Sequence, residues 1–167
     1  MKKPILIPTI ISSLRIAAFP FFFYLYNLCN VTSCLILLSF CAATDFADGY
    51  IARKLKATST FGAYYDATTD FTLMASIFAI FTLNGYYPVW LVLLIAASFA
   101  QFIATSHYAR ELYDPVGRCL GSALYIGITL TLLLPNQAIY SFVQYAFLGF
   151  FVVSLISRIA SLTRKRA

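Results

Sequence analysis

Formal charges are sparse along this chain, and the intervals between them are long enough to cross a membrane. From Phe71 to Ala109 there are 39 residues without a charge, and from Cys119 to Ser157 there are 39 more. A helical crossing needs roughly 20 apolar residues, so each interval predicts two helices and a hairpin. Turn-forming residues fall near the middle of both, as Asn84-Gly85-Tyr86-Tyr87-Pro88 and as Pro135-Asn136-Gln137. A third interval, Ile16 to Thr44, has 29 residues and is interrupted by Asn27 and Asn30, so its two helices must extend beyond it. The pattern predicts six helices, at roughly 5–28, 31–55, 66–83, 88–108, 118–134 and 138–158.

Composition assigns a class to these elements. The chain is 61% hydrophobic and 11% charged, against about a quarter charged for a soluble domain, which excludes a soluble fold. The expectation is an all-α polytopic membrane bundle of six transmembrane helices, formed as one domain over residues 1–167. Met1-Lys2-Lys3 followed by apolar residues resembles the start of a secretory leader. Arg15 interrupts that run and no Ala-x-Ala site precedes Phe21-Phe22-Phe23, so the segment is expected to remain as the first helix.

The charge balance, twelve Lys and Arg against six Asp and Glu, sets an orientation. Lys2 and Lys3, then Arg53, Lys54 and Lys56, then Arg110 and Arg118, then Arg158, Arg164, Lys165 and Arg166 fall on one side of a six-crossing chain. Arg15, inside the first predicted helix, can snorkel to that side. The three opposite hairpins carry no Lys or Arg, which places both termini and the second and fourth connections in the cytoplasm of a cell membrane. These basic residues are explained by topology and anionic lipid headgroups, and no nucleic-acid module accompanies them. Cys29, Cys34, Cys41 and Cys119 form no CxxC pair and are read as packing residues. The abundant Phe and Tyr are read as lipid-facing and interfacial packing.

Four of the six acids, Asp45, Asp48, Asp66 and Asp70, lie within 26 residues at the cytoplasmic ends of the second and third predicted helices. The first two are spaced i, i+3 and the last two i, i+4, so each pair shares a helical face. A short linker makes the pairs neighbours. Like charges about 5 Å apart repel by roughly 3 kcal/mol at an effective dielectric near 20, so a cation must offset them. Oxygen-only ligands favour a hard cation, here Mg²⁺ or Mn²⁺, with two ions expected. Gly49 and Ala52 share the face of Asp45 and Asp48 and admit a bulky group close to the backbone. Arg53 follows with a planar fork suited to phosphate. Gly62, one turn before Asp66, keeps the same space open. Together these features suggest a bound diphosphate.

Asp45-Phe46-Ala47-Asp48-Gly49-Tyr50-Ile51-Ala52-Arg53, then Gly62, Asp66 and Asp70, resembles the signature of the CDP-alcohol phosphotransferase family at all eight defined positions. The resemblance implies that an alcohol displaces CMP from a CDP-linked lipid, usually CDP-diacylglycerol, in phospholipid biosynthesis. It also implies roles: Asp45, Asp48, Asp66 and Asp70 as metal ligands, and Asp70 as the base that takes the acceptor proton. Gly49, Arg53 and Ser59 would bind the CDP part, with Ala52 and Gly62 shaping that subsite. A homodimer is a further implication.

The N-terminal segment Ile7-Pro8-Thr9-Ile10-Ile11-Ser12-Ser13-Leu14-Arg15 is similar to one in the phosphatidylglycerophosphate synthase branch, where Asn and Thr precede an Arg. Thr9, Ser12 and Arg15 would thereby meet the lipid substrate. Glycerol 3-phosphate is the leading acceptor, with Arg110 and Arg118 as candidate partners for its phosphate. Around the last two acids the branch commonly has Asp-Pro and Ala-Asp-Lys, whereas this chain reads Asp66-Ala67-Thr68-Thr69-Asp70-Phe71. Serine, inositol phosphate and a second phospholipid therefore stay open as acceptors.

Intramembrane carboxylates also suit an ion transporter, but a pathway does not require Gly49, Ala52, Arg53 and Gly62 at these spacings. An Asp-rich prenyltransferase would need a second acidic cluster, and no acid lies beyond Asp114. His107, the single histidine, is read as an interfacial hydrogen-bonding residue.

Overall fold

A computed structural model describes the backbone of residues 6–54, 60–109 and 115–164, and the side chains of residues 17–44, 64–104 and 119–157. Six helices account for nearly all of it: α1 Leu6–Asn27, α2 Val31–Lys54, α3 Thr60–Leu83, α4 Val89–Ala109, α5 Pro115–Leu133 and α6 Gln137–Arg164. No strand occurs among the described residues. Helices α3 and α6 are long and apolar enough to cross a membrane, over Tyr64–Leu83 and Gln137–Ser157. The apolar stretches Val31–Thr44, Val89–Ala104 and Cys119–Leu133 of α2, α4 and α5 are shorter.

The largest departures from the predicted boundaries are the start of α3, at Thr60 rather than near residue 66, and the end of α6, at Arg164 rather than near residue 158. Nothing in Thr60-Phe61-Gly62-Ala63-Tyr64-Tyr65 breaks a helix: there is no Pro and no charge run. Asp66 therefore lies inside the helix and not at its start. Helix α5 begins on Pro115, a residue whose missing N–H and fixed φ suit the first helical position.

The chain divides into two compact units, Met1–Ile77 and Phe78–Ala167. In the first, α1 and α2 pack side by side. Cys34, Leu38 and Cys41 form a buried stripe along α2, while Ile36 and Phe40 face outward. Phe22 is buried on α1 and stacks against Tyr26 at 6.2 Å. The connecting turn is a Schellman motif: Cys29 N–H donates to Tyr26 C=O (3.0 Å) and Asn30 N–H to Leu25 C=O (3.3 Å). Cys29 occupies the left-handed position with φ 53°, where glycine is the usual residue. Asn30 then caps α2, its Oδ1 accepting Ser33 N–H at 3.0 Å.

In the second unit α6 packs against both α4 and α5. The same turn recurs after α3, with Gly85 N–H donating to Thr82 C=O and Tyr86 N–H to Phe81 C=O, both at 3.0 Å. Here Gly85 takes the positive φ, 79°. The core is aromatic. Phe78 meets Phe147 edge-on at 5.5 Å and Tyr87 at 5.6 Å, and Tyr86 stacks on Tyr140 at 5.1 Å. Gly127 of α5 admits these rings, because a Cβ there would lie 3.0 Å from Phe147 Cε2 and 3.2 Å from Phe78 Cζ. Thr131 Oγ1 donates to Gly127 C=O at 2.6 Å, which leaves its lone pairs for the buried Tyr87 hydroxyl, 2.5 Å away. Tyr87 is thus the donor in that contact, and the chain of bonds ties the α3–α4 turn to α5.

Candidate functional site

The acidic signature occupies the end of α2 and the first half of α3. Helix α2 runs unbroken through Asp45, Asp48, Gly49, Ala52 and Arg53 to Lys54. Thr44, just before the first acid, spends its hydroxyl on Cys41 C=O at 2.8 Å. The expected spacing of Asp45 and Asp48, one helical turn apart, therefore holds for the backbone. Their side chains, and those of Gly49, Ala52 and Arg53, lie outside the described residues. So does the whole of Ser59.

Helix α3 carries Gly62, Asp66 and Asp70 at successive intervals of four, which aligns them in one row along the helix surface. Asp66 and Asp70 are both half-buried. This row shares its face of the helix with the buried residues Thr69, Leu73, Ile77 and Ile80. The two carboxylates keep partial exposure on that otherwise buried face.

Three hydroxyls accompany the pair. Thr68 Oγ1 donates to Tyr64 C=O (2.7 Å), Thr69 Oγ1 to Asp66 C=O (2.8 Å) and Thr72 Oγ1 to Thr68 C=O (2.7 Å). Each side chain directs its proton at its own backbone, which suits an apolar environment where an unsatisfied hydroxyl is costly. Thr69 is the exceptional member. It is only 3% exposed, whereas Thr68 and Thr72 face outward. Sequence reading singled out the acids and passed over this residue, although its place three after Asp66 and one before Asp70 was visible.

Two half-buried carboxylates one turn apart, with oxygen as the only donor type, fit a hard divalent cation. Among the described residues no group of three or more His, Cys, Asp or Glu side chains assembles, because Asp66 and Asp70 are the only acids of the signature with described side chains. The expected convergence of the two acid pairs therefore falls outside the described residues. Thr9, Ser12 and Arg15 lie on α1, and Arg118 on α5; their side chains are likewise outside, as is Arg110 altogether.

The CDP-alcohol phosphatidyltransferase family model matches residues 5–160. Named relatives agree. A CDP-diacylglycerol--glycerol-3-phosphate 3-phosphatidyltransferase of Pectobacterium atrosepticum is 37% identical over 115 residues, which cover 67% of this chain and 62% of that protein. Proteins of the same name from Yersinia enterocolitica and Pseudomonas fluorescens are 38% identical over 115 residues and 31% identical over 121 residues. The matched region spans 62% of the length of each of these relatives.

Proposed function

The chain belongs to the CDP-alcohol phosphatidyltransferase family, and on that premise we propose that it transfers a phosphatidyl group from CDP-diacylglycerol to an alcohol, releasing CMP. The observation that carries this reading is the match of the family over residues 5–160, which encloses all eight signature positions. The names of the relatives favour glycerol 3-phosphate as the acceptor.

In this reading all six helices cross a cell membrane, with termini and active site on the cytoplasmic side. The length of the charge-free intervals and the one-sided basic residues support that arrangement. Asp45, Asp48, Asp66 and Asp70 hold two divalent ions, Mg²⁺ or Mn²⁺. Bound there, the ions neutralise the diphosphate and the departing CMP. Arg53 offers paired N–H donors to a diphosphate oxygen, and Gly49, Ala52 and Gly62 leave room for the nucleotide, with Ser59 beside it. Thr9, Ser12 and Arg15 meet the lipid end.

Asp70 orients the acceptor hydroxyl and takes its proton as the new P–O bond forms. The bond between the phosphatidyl phosphorus and CMP breaks, and the electron pair leaves with CMP. Arg110 and Arg118 face the acceptor's phosphate. The active form is a homodimer.

The test is CMP release by purified protein supplied with CDP-diacylglycerol, Mg²⁺ or Mn²⁺, and a panel of glycerol 3-phosphate, serine, inositol phosphate and phosphatidylglycerol. Release dependent on glycerol 3-phosphate is expected. Release with another acceptor alone reassigns the substrate, and silence across the panel together with ion flux in liposomes overturns the enzymatic reading.

A further inference from the structure

We propose that Thr69 is a positioning residue, its buried hydroxyl setting the separation of the Asp66 and Asp70 carboxylates through the peptide that joins their backbones. The inference rests on the reading of these acids as metal ligands given above.

In an α-helix the carbonyl of residue i accepts the N–H of residue i+4, so the Asp66 carbonyl is the direct backbone link from Asp66 to Asp70. Thr69 Oγ1 donates to that same carbonyl at 2.8 Å. The carbonyl then serves two donors, and a hydroxyl bonded back in this way bends a helix locally. Thr69 cannot release the bond cheaply. It is 3% exposed, and a buried hydroxyl turned away from its acceptor is left without a hydrogen bond or water to replace it. Thr68 and Thr72 make similar bonds but face outward, and each reaches the carbonyl four residues back. Only Thr69 combines burial with the carbonyl shared by the two acids.

The alternative role for a buried threonine is to fill space, and two substitutions separate the roles. Thr69→Val keeps the shape and removes the hydroxyl; Thr69→Ser keeps the hydroxyl and removes a methyl group. Mn²⁺ binding, measured by electron paramagnetic resonance on the detergent-solubilised protein, and CMP release are followed in parallel.

A displacement of a few tenths of an ångström at two ligands is expected to weaken Mn²⁺ binding and lower kcat by about three- to tenfold in Thr69→Val, with KM for the CDP-lipid unchanged. Thr69→Ser is expected within about twofold of the parent in both readouts, even where its melting temperature drops. Parent-like Mn²⁺ binding in Thr69→Val, or equal losses in both variants, overturns the proposal. Mn²⁺ binding without CMP release by the parent protein would sink the enzymatic reading while the binding series still decides the role of Thr69. No Mn²⁺ binding by the parent removes both.

Discussion

The two ends of α3 are built on different principles. From Tyr64 to Thr72 the helix carries two half-buried acids and three threonines, and every one of those hydroxyls is committed to a backbone carbonyl. From Leu73 onward it carries Ile77, Phe78 and Phe81, all fully buried, and Phe78 makes edge and tilted ring contacts within 6.1 Å. Hydrogen bonds set geometry at the first end and shape sets it at the second. In hydrocarbon, where burying apolar surface gives little net gain, close packing and satisfied polar groups provide the stability. The difference teaches that chemistry and stability should separate along one helix.

Asp70→Asn gives the widest separation. Turnover should fall by about a hundredfold or more, the range of a lost general base. The melting temperature should not fall, since the substitution removes a like charge one turn from Asp66. A variant that melted early while keeping its rate would reverse the comparison.

Gly127→Val tests the opposite end. The added atoms meet Phe147 and Phe78 at contact distances already as short as 3.0 Å, and overpacking of this kind costs about 1–3 kcal/mol. Thermal unfolding in detergent should shift accordingly, with the rate per folded molecule retained.

Tyr87→Phe is a smaller step. It removes the hydrogen bond to Thr131, worth about 1 kcal/mol, and it alters the response to alkali. Burial pushes the Tyr87 hydroxyl above its ordinary range, and nearby Tyr140 adds to the shift. A folded-state value raised above the unfolded one means that stabilisation is complete below about pH 10 and is lost as pH rises through the folded value. Melting curves of the parent should therefore decline above about pH 10 more steeply than those of Tyr87→Phe. Equal declines would assign the alkaline loss to other groups.

Thr72→Val should do least. Its hydroxyl is exposed and bonds only to Thr68 C=O, so a change within about 0.5 kcal/mol and an unaltered rate are expected. A rate loss here as large as in Thr69→Val would remove the distinction between the inward and outward hydroxyls.

Charge placement made the helices and their turns legible before any coordinates. Lys, Arg and Asp cannot sit cheaply in hydrocarbon, so their absence marks the intervals, and Asn84-Gly85 and Pro135-Asn136 mark the corners. The one-turn spacing of Asp66 and Asp70 was equally plain. Which face of each helix turns inward was not. Ile36 is 65% exposed and Leu38 1%, yet both are apolar, because a lipid-facing surface and a packed one select the same residue types. The start of α3 at Thr60 was less plain, because no charge falls between Lys56 and Asp66 to mark it. Thr69 was hidden for a related reason, since its burial depends on the stripe through Leu73 and Ile77 rather than on anything local. The turn at Cys29 lacked the glycine that would have announced its φ of 53°.

The three uncharged corners share one property with a consequence for biogenesis. Each is closed by bonds reaching no more than five residues: the Schellman pairs after α1 and α3, and after α5 the bonds from Leu134 N–H to Leu130 C=O and from Ala138 N–H to Asn136 Oδ1. Such a corner needs no distant partner to satisfy its backbone. In the six-crossing arrangement proposed above, successive pairs of helices can thus leave a translocation channel as finished hairpins, with tertiary assembly postponed until all three are lodged in the lipid.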